Sequence, residues 1–113
     1  MERKFKIMVN TKKQKYVDLV INYVKKFPNK FNKLVVYGES IDSNIEDPTT
    51  IDFAIGLVRE EDAKDYELLG DLLSYIGDIV DEGNCSLVPI DSNTISNFCM
   101  SNILKGEIVY EIC

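Results

Sequence analysis

The chain has 113 residues, 45% of them hydrophobic, which is enough for one core, so 1–113 reads as a single domain. It contains no histidine, which excludes a Ser-His-Asp triad, a Cys-His pair and any His-ligated zinc site. No run of roughly 18 or more apolar residues exists, so a membrane span is excluded.

The opening MERKFKIMVN alternates charge and apolarity and lacks a signal-peptide core, which gives the expectation of a cytoplasmic protein. Cys85, Cys99 and Cys113 are odd in number and far apart, which argues for reduced thiols and against a disulfide frame or a C-x-x-C metal site. The net charge of −6 hides a division. Residues 1–33 hold ten of the thirteen Lys and Arg against Glu2 and Asp18, whereas the remainder sets Arg59, Lys64 and Lys105 against seventeen acids. An acidic body argues against general nucleic-acid binding, because phosphate contacts need clustered cations. The basic segment reads as a solvated helix face that could also meet a phosphate, an RNA or an acidic partner.

Thr11 followed by Gln14 has the form of a capping box. Tyr16, Leu19, Val20, Tyr23, Val24 and Phe27 then recur at steps of three and four, predicting an amphipathic helix closed by Pro28 and Asn29. Residues 33–37 (KLVVY) are β-branched and apolar and end at Gly38, a short buried strand followed by a tight turn. Residues 39–49 are polar and turn-forming, a loop with room for one helical turn, and 50–58 form a second strand beside the first. Arg59 to Ala63 opens a second helix with Glu60, Glu61 and Asp62 in its first turn, and Tyr66, Leu69, Leu72, Leu73 and Ile76 make its buried stripe. Residues 84–89 are a third strand. Asp91 or Ser92 caps a third helix with Ile95, Phe98, Cys99 and Ile103 inward, stopped by Lys105 and Gly106, and 107–111 is an extended tail. This order predicts an α/β (α+β) domain, a sheet covered by helices.

The chemistry concentrates at the end of the first strand. Side chains two apart on a strand share a face, so residues 50 and 52 are expected to project together toward the Gly38 turn. Two acids there, with glycine-loop N–H groups opposite, would clamp a divalent cation and a triphosphate, and a third acid on the next strand would complete a two-metal site.

Here the chain resembles the minimal nucleotidyltransferases of the DNA polymerase β superfamily, small proteins often paired with HEPN partners. Residues 35–38 (VVYG) match the family's strand and glycine. Residues 50–53 (TIDF) fall where its Asp-x-Asp strand should be, 85–88 (CSLV) resemble the strand of its third Asp, and 103–110 resemble its closing segment. The resemblance spans roughly 12–111 and implies a nucleotidyltransferase-like fold, a small mixed β-sheet of three to four strands flanked by helices. It implies nucleotide-binding positions at Gly38, Glu39 and Ser40, and a residual catalytic and metal-binding carboxylate at Asp52. The first and third metal positions are the neutral Thr50 and Ser86. Gly38 taken alone is also a common turn glycine that needs positive φ.

One carboxylate in place of three leaves Mg²⁺ weakly held. Glu39 beside a triphosphate adds repulsion of roughly 4 kcal/mol for charges about 4 Å apart at an effective dielectric near 20. That is about a thousandfold in affinity. Glu39, Asp42, Glu46 and Asp47 share the loop and could replace the missing acids, although loop side chains are hard to hold in catalytic register.

The expectation is a catalytically degenerate domain acting as a binding or regulatory module, antitoxin-like with a HEPN-type protein partner, with no cofactor assigned unless it is active with Mg and with weak or absent nucleotide binding. The alternative is an active Mg-dependent enzyme moving NMP from an NTP to a protein or small-molecule hydroxyl. A third reading is self-association between the basic N-terminal helix and the acidic body.

Overall fold

The computed structural model describes residues 13–42, 44–46, 48–80, 85–90, 103 and 105–112. Helix α1 (Gln14–Val24) starts at Lys13, which offers no side-chain cap, while Thr11 lies outside the described residues. Val17, Val20 and Val24 are its fully buried stripe; Leu19, expected among the inward positions, is 41% exposed at the stripe's edge. Phe27 follows the helix and stacks edge-on against Phe31, which opens β1 (Phe31–Tyr37). The strand therefore begins two residues before the expected Lys33, with a register shift between Phe31 and Lys33.

A 3-10 turn (Gly38–Ile41) supplies the helical turn that the loop had room for, and β2 (Ile51–Leu57) returns antiparallel to β1. The helix expected from Arg59 is divided. Residues Glu60–Lys64 form a separate 3-10 turn, and α2 (Tyr66–Ile79) starts where the Asp65 carboxylate accepts the Leu68 N–H at 3.0 Å. That bond satisfies an otherwise orphaned helix donor and fixes the start later in the sequence. Glu60, Glu61 and Asp62 thus stand in the first turn of the 3-10 segment rather than of α2, and Asp62 is also buried, with Lys30 Nζ 3.7 Å from its carboxylate, tying this turn to the approach to β1. On α2, Leu72 and Ile76 are fully buried as expected, whereas Tyr66 and Leu73 are exposed, a correction to the predicted stripe.

Strand β3 (Cys85–Pro89) pairs parallel with β2, and β4 (Glu107–Glu111) pairs antiparallel with the other side of β1. The order β3-β2-β1-β4 makes a mixed four-stranded sheet, the α+β class expected. The third helix expected over 91–103 lies outside the described residues except for Ile103, which is buried.

Alternation along the strands divides the sheet between two faces. Leu34, Val36, Ile51, Phe53 and Ile55 meet the valines of α1 and Leu72 and Ile76 of α2 in the main core. Burying side chains of this size gives about 1.5–3 kcal/mol each. The opposite face carries Val35, Tyr37, Ala54, Val88, Ile108 and the buried Ile103. Asp52 and Ser86 lie in step with this second set, away from α1 and α2. No helix among the described residues is long and apolar enough to cross a membrane.

Candidate functional site

Three backbone elements converge at one end of the sheet. Tyr37 at the end of β1 pairs with Asp52, and Asp52 pairs across the parallel ladder with Ser86. Gly38 leaves β1 at φ +79°, a conformation that favours glycine. A Cβ at Gly38 would stand 2.5 Å from Asp52 Oδ2, so the absence of a side chain lets the turn lie against this carboxylate.

The register makes Ser86 the immediate neighbour of Asp52, and its Oγ donates to Asp52 Oδ1 at 2.7 Å. A hydroxyl bonded to an ionised acceptor makes one of the stronger protein hydrogen bonds. Ser86 thus supplies a proton where a metal-binding acid would supply a lone pair. Cys85, beside it on β3, is half-buried, and its thiol is pushed above the usual range first by burial and then by the charge of Asp52. It is therefore held as a thiol at neutral pH, the form that binds metals and attacks electrophiles poorly.

The loop residues are engaged elsewhere. Ser40 is buried, and its Oγ donates to the Thr50 carbonyl at 2.7 Å, pinning the 3-10 turn to the entry of β2. Glu39 Oε2 accepts from the Thr49 N–H at 3.1 Å and the Thr49 hydroxyl at 3.2 Å. Asp42 accepts the Asn44 N–H at 2.9 Å, an Asx turn. Thr50 stands just before β2, and its described contact is its carbonyl, which accepts from Ser40 Oγ. Asp47 lies outside the described residues.

The structure therefore brings Gly38, Asp52 and Ser86 together, and uses Glu39, Ser40 and Thr50 to close the loop beside them. Sequence reasoning missed the closing bonds, since nothing in the spacing of Glu39 and Thr49 marks them as partners. Among the described residues, no three Asp, Glu, Cys or His side chains gather to hold a metal ion. The described side chains thus offer a cation the Asp52 carboxylate, with the Ser86 hydroxyl already donating to one of its oxygens, in place of the cluster of acids a two-metal site uses.

No family model and no curated protein sequence matches the chain. In three dimensions it is similar to a chain of the solved complex of a tri-AMPylated Shewanella oneidensis HEPN toxin with an MNT antitoxin. The TM-score is 0.64 at 14% sequence identity, covering 88% of this chain and 73% of the other. At that identity the likeness is one of architecture. Together with the mixed sheet and its flanking helices, it gives this chain a nucleotidyltransferase-like fold.

Proposed function

We propose that this chain is a catalytically degenerate nucleotidyltransferase-fold domain that acts by binding a protein partner of the HEPN type, in an antitoxin-like role. The observation that carries the reading is the Ser86 hydroxyl donating to Asp52 at the register position where the fold's third acid is expected. Thr50, at the first acid position, is neutral as well. The partner follows from the architectural neighbour, in which an MNT antitoxin is bound to a HEPN toxin.

The same neighbour favours one second reading, because its toxin is tri-AMPylated. Transfer of NMP to a partner's hydroxyl is the activity that would leave such a mark, and Asp52 is the residue it would depend on here. The two readings separate in one experiment. The protein is isolated from its native host, its mass is measured under native conditions, and the preparation is incubated with labelled ATP, CTP, GTP and UTP plus Mg²⁺ or Mn²⁺. A heteromer with a second protein of fixed stoichiometry and no label transfer is expected. A chain always free of any second protein, or transfer that disappears in Asp52→Asn, would overturn the proposal.

A further inference from the structure

The outer faces of α1 and α2 take no part in the Asp52 site. Both helices bury their inner sides in the same core, through Val17, Val20 and Val24 and through Leu72 and Ile76. They also touch each other: the Tyr23 and Tyr75 rings lie 4.7 Å apart, and Tyr75 Oη donates to the Leu19 carbonyl at 3.4 Å. Their remaining sides consequently face outward together as one two-helix surface. Leu19, 41% exposed, is the large hydrophobic residue on this surface; Tyr66 and Leu73 stand about half a turn round α2 from Tyr75, on the flank turned away from α1. The charge on this surface is split by helix. Lys15, Lys25 and Lys26 are exposed on α1 and its exit, where the acid Asp18 is engaged by Gln14 Nε2 at 2.9 Å. Helix α2 exposes Glu67, Asp71 and Asp78 and contains no basic residue.

We infer that this face is an interface between two copies of the chain. A two-fold axis running in the interface, along the line between the helices, sets α1 of each copy on α2 of the other. Lysines then meet acids twice over, and Leu19 is covered on both protomers. Stacking α1 on α1 would oppose like charges. A foreign helix of one charge would complement only one of the two helices, whereas a second copy complements both.

At 1.5 Å per residue the helices are about 16 and 21 Å long, so the contact lies at the small end of specific interfaces. The space over Gly70 is open within the protomer, so alanine fits there without a clash and would stand only against the second copy. None of this rests on the reading of Asp52; a homodimer with no second protein would support this interface while contradicting the proposed partner.

The test is sedimentation equilibrium of the purified full chain at about 50 mM and about 500 mM NaCl, conditions that differ strongly in charge screening. The expected result is reversible dimerisation of the 12.9 kDa chain, weakened about tenfold or more at high salt. Leu19→Asp, and separately Lys15→Glu with Lys26→Glu, weaken the dimer at least about tenfold with unchanged far-UV circular dichroism. Adding Glu67→Lys and Asp71→Lys to the lysine variant restores it. Gly70→Ala raises the protomer's melting temperature, as alanine is the better helix former, yet weakens the dimer. A chain that stays monomeric at low salt into the millimolar range, or a dimer insensitive to the lysine reversals, overturns the inference. The lysines are exposed, so that arm does not depend on Leu19→Asp folding.

Discussion

Ser86→Asp is expected to destabilise the metal-free protein by about 2–4 kcal/mol and to confer a Mg²⁺-dependent stabilisation that the wild type lacks. The wild-type hydroxyl donates to Asp52 at 2.7 Å, so the substitution removes a hydrogen bond to a charged acceptor and sets a second carboxylate beside the first. The lost bond accounts for roughly 1.5–3 kcal/mol, and like charges about 4 Å apart add up to about 4 kcal/mol at an effective dielectric near 20. Both residues are half-exposed, which holds the total to the lower part of that sum. A divalent cation between the two acids reverses the repulsion. Bound at about a hundred times its dissociation constant, it restores about 2.7 kcal/mol. Urea unfolding in EDTA and again with excess Mg²⁺ measures both effects. An unchanged midpoint in EDTA, or a wild type that gains as much from Mg²⁺ as the variant, would count against the assignment of Ser86.

Gly38→Ala is expected to cost about 2–4 kcal/mol and to displace the Asp52 carboxylate. An L-residue at φ +79° loses roughly 1–2 kcal/mol to the left-handed conformation. The added Cβ also meets Asp52 Oδ2 at 2.5 Å, so either the turn or the carboxylate must move. Relief by moving Asp52 breaks the bond to Ser86, which adds to the loss. Gly70→Ala is the internal control, since alanine in the open helical position stabilises rather than destabilises. Thermal unfolding of the two variants gives opposite signs if the Gly38 turn lies against Asp52 as described. Equal stabilisation by both would contradict that geometry.

The sheet was legible because its signals are local. The β-branched run ending at Gly38 and the apolar run around Asp52 mark β1 and β2 without reference to partners, and their succession across the loop 39–49 implies a hairpin-like adjacency. The Asp52–Ser86 contact joins residues 34 apart in sequence. It depends on a parallel pairing that no local pattern encodes, and only the family resemblance singled out both residues. The start of α2 misled for a physical reason. Glu60, Glu61, Asp62 and Ala63 suit a helix by composition and by dipole, but the cap that satisfies the helix's N–H groups comes from Asp65, two residues later. Periodicity also placed Leu19 and Leu73 inward, since a step of three or four does not distinguish the centre of an apolar stripe from its edge. The engagements of Glu39 and Asp42 were out of reach of spacing alone. They matter most for function, because both acids were candidates to replace the missing metal ligands and both are bound within the loop.

The most direct measurement of whether the Asp52 site handles a polyphosphate is a calorimetric titration of Mg²⁺-ATP into the wild type and into Asp52→Asn. The expected result is no saturable binding by either protein below millimolar concentration. Saturable wild-type binding in the micromolar range that disappears in Asp52→Asn would contradict the account.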